Sequence, residues 1–376
     1  MTTKAHSETS FVSTLPGRYY YDPAIYMLEQ ERIFSRMWVC IGCADALTLP
    51  GAYQTVSLGG ENVIVVRDKE LKLRAFLNVC RHRGARLCPE TSGVLKGSIQ
   101  CRYHAWTYAL NGRLIGAPNV LNETAFQAMD FSLVPVALEV WEGLVWLNLS
   151  ETPEPIEQQI YGPILERFIG SYERFARYDV RRLKSGKTIS YAVQANWKIV
   201  LENFQECYHC GPMHPEFCRY FPQYKSGVAY NGDEAATLAA DMEAFSITGK
   251  ANHPHLPGLV PEDLRRYYGI VINPNLLLNL FDDHVVIHTL TPLAPDCTRV
   301  TCDWLFDRKE MERPDFDPAD AVELFDLVNR QDWEVCALTQ AGMTSRAYRN
   351  GGVYVPVEHH IRAFADFILE KLRSCP

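Results

Sequence analysis

The chain has 376 residues, of which 47% are hydrophobic and 22% charged, and its formal net charge is −8. That length suits two domains, each able to bury its own core. The acidic balance argues against a nucleic-acid-binding face, and no apolar run reaches the ~18 residues that a membrane span needs.

The stretch MTTKAHSETSFVSTLPGRYYYD lacks the apolar core of a signal peptide, so a cytoplasmic address is expected. In that reducing compartment the 12 cysteines should be thiols or metal ligands rather than disulfides. Residues 1–21 read as irregular. Asp22-Pro23 opens a helix, with Pro23 suited to the first turn and Ile25, Leu28, Ile33 and Met37 spaced for one buried face. From Trp38 to Leu149, short runs (YQTVSL, NVIVVRD, LRAFLNV, GLVWLNL) are punctuated by Gly59-Gly60 and Asn111-Gly112, which predicts a small antiparallel β domain. The proline-bearing SETPEPIEQQ reads as a linker.

A helical segment over 156–177 follows, then a strand near 187–194 and a helix starting at Asn196-Trp197. VINPNLLLNLF, VVIHTLTPL and TRVTCDWLF read as strands; AVELFDLVNRQDWEVCALTQAGM and EHHIRAFADFILEKLR read as helices. The second half is therefore α+β, an antiparallel sheet packed against helices. The expected divisions are an N-terminal segment and helix over 1–37 that pack on the second domain, a β domain over 38–150 and the α+β domain over 151–376.

Ligand-type residues gather twice. In the β domain, Cys80-Arg-His82 and Cys101-Arg-Tyr-His104 each fall between turn-forming residues, so each would sit at the tip of a hairpin loop. Two loops that each present one thiolate and one imidazole suit a Rieske [2Fe–2S] cluster, with Cys80 and Cys101 on one iron and His82 and His104 on the other. A structural zinc site is the competing reading, although C-x-H is tighter than the usual zinc knuckle. Trp106 would shield the cluster from water or serve as plain core.

The second gathering is Glu202, Asn203, Glu206, His209 and His214. A helix over 197–209 would put Glu202, Glu206 and His209 near one face. Gly211-Pro212 would then break it, so that His214 arrives from a loop. Two histidines and a carboxylate from elsewhere make the facial triad of non-haem Fe(II). Asp326, Asp332 and Glu334 all compete for that carboxylate. Glu206 and Asn203 are the catalytic candidates of the segment. The pairs Cys40–Cys43 and Cys207–Cys210, and His253, His255, His284, His288, His359 and His360, carry no paired ligand signature and read as bystanders.

With both motifs present in this order, the chain resembles the α subunits of Rieske non-haem iron oxygenases across almost its full length. The absence of a spare cysteine in the loop of Arg102 and Tyr103 resembles the oxygenase-type cluster rather than the disulfide-braced respiratory one. The resemblance implies a Rieske domain followed by a helix-grip (START-like) catalytic domain, and Asp332 as the iron carboxylate. It also implies a head-to-tail homotrimer in which the cluster of one subunit lies beside the mononuclear iron of the next. Family members place a carboxylate at that boundary, an aspartate in the ring-hydroxylating dioxygenases. Glu206 matches the position and would join His209 to His104 of the neighbouring subunit.

A glutamate there resembles the branch acting on quaternary ammonium compounds, as do ECYHCGPMHPEFCRYFP, YHAWTYALNGRLIGAPN and AGMTSRAYRNGGVY. The implied reaction is O2-dependent hydroxylation of an N-methyl group, with glycine betaine ahead of stachydrine and carnitine. Rival readings are hydroxylation of an aromatic ring and a pure electron-transfer Rieske protein. The chain has no G-x-G-x-x-G after a strand and no plant-ferredoxin cysteine run, so a separate flavin- and ferredoxin-type NAD(P)H reductase is the expected partner.

Overall fold

The computed structural model describes residues 12–120, 126–168, 170–227 and 235–373. Of the expected irregular start, 1–11 lie outside the described residues, and Gly17–Tyr20 form a short 3-10 helix. Asp22 caps α1 (Pro23–Glu29) by accepting from the Ala24 N–H. Its expected apolar face is only partly realised. Ile33 is buried, but so are the polar Glu29 and Gln30, while Ile25, Leu28 and Met37 stay half-exposed.

Next come β1 (Val39–Cys43), β2 (Ala52–Leu58), β3 (Glu61–Arg67), β4 (Leu73–Leu77), β5 (Ser92–Val94), β6 (Ser98–Gln100), β7 (Thr107–Ala109), β8 (Leu114–Gly116), β9 (Ala137–Trp141) and β10 (Leu144–Asn148). They form small antiparallel sheets in the orders β4–β3–β2–β5, β6–β7–β8 and β1–β10–β9. The β2–β3 hairpin turns on Gly59-Gly60, at φ +56° and +83°. A Cβ on Gly59 would lie 2.3 Å from Ser35 Oγ, so both conformation and space select glycine. Ile64, Val66, Phe76, Ile99 and Tyr108 pack into one core with Cys80 and Cys101.

The helix expected over 156–177 is two, α2 (Ile156–Arg167) and α3 (Tyr172–Ala176), because Gly170 at φ +74° turns the chain between them. One sheet follows, built of β11 (Leu183–Val193), β12 (Ala236–Thr237), β13 (Arg266–Ile272), β14 (Leu276–Leu280), β15 (Val285–Ala294) and β16 (Cys297–Asp307), in the order β11–β16–β15–β14–β13–β12. VINPNLLLNLF is not one strand. Pro274 has no N–H to give a ladder, and the run folds back as a β13–β14 hairpin that sets Ile272 opposite Leu276.

Between β11 and β12 lie α4 (Trp197–Phe204), α5 (Cys210–Met213) and α6 (Pro215–Tyr220); after β16 come α7 (Arg308–Met311), α8 (Ala319–Met343) and α9 (His359–Arg373). Asn196 caps α4 through the Lys198 N–H. The 25-residue α8 packs Phe325 and Val328 against Cys302, Trp304 and Phe306 of β16. The architecture is thus α+β, a β-sheet-rich first half and an antiparallel sheet gripped by a long helix. No helix among the described residues is long and apolar enough to cross a membrane.

Candidate metal centres

The two cysteine loops of the first half follow one hydrogen-bond plan. Cys80 N donates to Ala85 O and Cys101 N to Trp106 O, each at 2.8 Å. Gly84 N returns to Cys80 O at 3.0 Å and Ala105 N to Cys101 O at 3.1 Å. Gly84 and Ala105 both take left-handed backbone, φ +70° and +58°, which closes each loop. Both thiols are buried, whereas His82 is exposed and His104 half-buried. The imidazoles meet edge to face with centroids 4.6 Å apart. Trp106 stacks on His82 at 5.0 Å, and the Tyr108 hydroxyl lies 3.4 Å from Cys80 Sγ.

Two buried thiols beneath two outward imidazoles fit a two-iron cluster whose inner iron takes sulfur and outer iron nitrogen. A single zinc ion, with bonds of about 2.0–2.3 Å, would require all four ligand atoms to converge. Among the described residues, the side chains whose ligand atoms lie within 4.8 Å of one another are His209, His214 and Asp332.

That second centre is assembled from a turn and a helix. α4 ends at Phe204 rather than running to residue 209. The cause is Glu206, whose Oε2 accepts from the N–H groups of Tyr208 and of His209, the latter at 3.1 Å. Such side-chain acceptance offers the backbone an alternative to the helical ladder. Gly211 and Pro212 lie inside α5, not at a break, and His214 sits at the α5–α6 junction. Glu202 points away and accepts from the Tyr20 hydroxyl at 2.7 Å.

His214 Nε2 is 2.9 Å and His209 Nε2 3.3 Å from Asp332 Oδ1. The opposite nitrogens are held from behind: His209 Nδ1 lies 2.6 Å from Glu206 Oε1, and His214 Nδ1 2.7 Å from Gln331 Oε1. Those acceptors fix a proton on each Nδ1 and direct both Nε2 atoms at Asp332, the orientation a metal needs. Asn203 Nδ2 is 3.5 Å from His209 Nε2. Two imidazoles and one carboxylate, bracketed in this way, fit a mononuclear Fe(II) site with open positions.

The electrostatics agree with that convergence. Burial opposes charge on His209, but Asp332, Cys210 and Glu206 together push its pKa up to about 12. Burial would raise the Asp332 carboxyl, yet the two imidazoles hold it at about 2. Asp326 is engaged elsewhere, accepting from the Tyr191 hydroxyl at 2.5 Å, and Glu334 is exposed. Gln331 carried no signal in the sequence, nor did Tyr108; each is a lone polar residue whose role depends on the fold. Cys40, Cys43, Cys207 and Cys210 are free thiols, and burial pushes Cys40 up to about 12, which makes it inert. Phe217, Phe221, Tyr224, Phe245, Tyr267 and Phe281 share one buried core.

Residues 37–129 match the Rieske [2Fe–2S] domain, and 180–374 match the catalytic domain of the ring-hydroxylating α subunit. The glycine betaine monooxygenase oxygenase subunit of Chromohalobacter salexigens is 31% identical over 96% of this chain and 86% of its own length. The carnitine monooxygenase oxygenase subunit of Acinetobacter baumannii is 29% identical over 90% of this chain and 87% of its own. The crystal structure of the quaternary ammonium Rieske monooxygenase CntA with L-carnitine superposes with a TM-score of 0.74 at 26% identity, covering 96% of each chain. Naphthalene 1,2-dioxygenase from a Rhodococcus species shares the fold, with a TM-score of 0.75 at 19% identity. The chain belongs to the Rieske-type ring-hydroxylating α subunits, as the oxygenase component of a monooxygenase that carries one [2Fe–2S] cluster and one mononuclear iron.

Proposed function

We propose that this oxygenase hydroxylates an N-methyl carbon of a small quaternary ammonium compound, glycine betaine first, with stachydrine and carnitine as the next candidates. The observation that carries this reading is the 31% identity to a glycine betaine monooxygenase subunit across 96% of the chain. Glu206 on His209 Nδ1 supports it. O2, two electrons and two protons convert N–CH3 into N–CH2OH and water. The hydroxymethyl species then collapses to the demethylated amine, formaldehyde and a proton.

Cys80 and Cys101 hold one cluster iron, His82 and His104 the other; His209, His214 and Asp332 hold the mononuclear iron. When bound, the cluster supplies single electrons and the mononuclear iron supplies the site of O2 activation. Around them, Glu206 and Gln331 orient the two imidazoles, Asn203 stands beside His209, and Trp106 covers one face of the His82 ring. The proposed divisions are an N-terminal segment and helix that pack on the catalytic domain over 1–37, the Rieske domain over 38–150 and the catalytic domain over 151–376. The working unit is a head-to-tail homotrimer in which Glu206 bridges to the neighbour's cluster, fed by a flavin- and ferredoxin-type NAD(P)H reductase. The free thiols suit the reducing cytoplasm.

The test supplies purified protein and reductase with glycine betaine, stachydrine, carnitine and an aromatic acid in turn. Formaldehyde release coupled to NAD(P)H consumption is expected with glycine betaine. Coupled product from the aromatic acid alone would sink the betaine reading.

A further inference from the structure

Asn329 lies on α8 three residues before Asp332 and is buried. Its Oδ1 is 3.0 Å from His288 Nε2. Its Nδ2 donates to the Tyr191 hydroxyl at 3.4 Å and toward Cys302 Sγ at 3.7 Å. These partners stand on β15, β11 and β16, which are neighbours in the order β11–β16–β15. One helix amide is thus read by three adjacent strands.

The network has a direction. The Tyr267 hydroxyl donates to Asn279 Oδ1 at 2.8 Å, and Asn279 Nδ2 lies 3.2 Å from His288 Nδ1. An amide NH2 can only donate, so His288 Nδ1 accepts and its proton sits on Nε2, aimed at Asn329 Oδ1 and at Cys302 Sγ 3.3 Å away. Burial holds the His288 pKa down at about 4, so the ring stays neutral with this tautomer near neutral pH. At the far end the Tyr191 hydroxyl donates to Asp326, which also takes Arg330 Nε at 2.8 Å. Two asparagines interrupt the chain, and an amide does not take up and release protons as a relay must. What remains for the network is positioning. A slip of α8 by one turn would strand the buried amide of Asn329 without partners, which is unfavourable.

We infer that Asn329, gripped by His288 and Tyr191, is a positioning residue that sets the register of α8 on the sheet and so brings Asp332 to His209 and His214. The inference rests on Asp332 being the iron carboxylate.

Full-length variants are titrated with Fe(II), with the visible spectrum of the [2Fe–2S] cluster in the same protein reporting an intact fold. Asn329→Leu and His288→Leu should weaken Fe(II) binding by about 10–100-fold, the usual effect of losing a group that orients a ligand. His288→Gln, which keeps an acceptor and a donor, should recover most of that loss. Equal loss in both His288 variants would overturn the role of its hydrogen bonds. Asn329→Leu that retains its cluster spectrum and binds Fe(II) like the parent overturns the proposal. If Asn329→Leu fails to fold, Tyr191→Phe decides. Removal of one hydroxyl should weaken Fe(II) binding about threefold, and parental affinity there overturns the proposal too. Asp332→Ala separates the two layers. Iron retention in that variant refutes the ligand assignment, whereas iron loss there with retention in Asn329→Leu refutes only the positioning role.

Discussion

Glu206 acts on its own turn before it can act on a neighbour: one oxygen takes two backbone N–H groups and the other takes His209 Nδ1. Glu206→Ala is expected to retain both metal centres and lower turnover by about 10–100-fold, read as NAD(P)H-coupled product formation beside iron content. Parental turnover would remove its bridging role. Tyr108 has a similar position at the cluster, because its hydroxyl touches Cys80 Sγ and hydrogen bonds to cluster sulfur raise the reduction potential. Tyr108→Phe should lower that potential in voltammetry; an unchanged value would show that the hydroxyl does not act on the cluster. Glu202 gives a pH signature. Burial, only partly offset by Tyr20 and Lys198, raises its carboxyl from 4.5 to about 7. The folded state then binds more protons than the unfolded one between those values. Its contribution is full at low pH and is lost as pH rises towards about 7. Thermal midpoints of the parent should decline across that window, and Glu202→Gln should flatten the slope. An identical slope would rule Glu202 out as its source.

At the scale of elements, what could be read in the sequence follows the distance between cooperating residues. Cys80 and His82 share a loop, as do Cys101 and His104, so local spacing alone exposes the cluster motif. His209 and His214 are equally close, although Gly211-Pro212 between them lie inside α5 rather than breaking a helix. Past Phe204, Glu206 captures the N–H groups of Tyr208 and His209 and so holds a turn where a longer helix was expected, a competition that apolar periodicity does not show. The carboxylate is another matter. Asp326, Asp332 and Glu334 share α8, and only the packing of α8 on β16 and β11 decides which of them reaches the histidines. Gln331, His288 and Asn329 were hidden for the same reason, as isolated polar residues within apolar or charged runs. Because the cluster loops and the α4–α8 site are separate elements, their metals should separate as well. His209→Ala or His214→Ala should drop iron from about three per chain to two, with the visible cluster spectrum unchanged. Loss of the cluster in either variant would mean that the two centres fold as one unit.

For the whole molecule, the decisive tie joins α1 to α4, the helix that leads into the turn of His209. Lys198 Nζ on α4 meets Glu29 Oε1 at the end of α1 at 2.5 Å, with both side chains wholly buried. Trp197 Nε1 donates to Glu29 Oε2 at 2.8 Å, and the ammonium lies 5.4 Å from the ring centroids of Tyr20 and Trp197. A buried ion pair is poor grounds for claiming extra stability, because desolvation cancels much of the attraction. Removing one partner has a far larger effect. Lys198→Met would leave the Glu29 carboxylate buried against a single indole donor and should cost about 3–5 kcal/mol. Glu29→Gln combined with Lys198→Met removes both charges and keeps an acceptor for the indole, so its stability should return close to that of the parent. Denaturant unfolding followed by tryptophan fluorescence measures both variants, while cluster absorbance follows the first half separately. The single variant should shift the fluorescence transition far more than the double one. Equal shifts would show that shape, not charge pairing, fastens α1 to α4. Recovery in the double variant would instead make the pair a lock on orientation, holding α1 against the base of the iron-site turn at little net gain in stability.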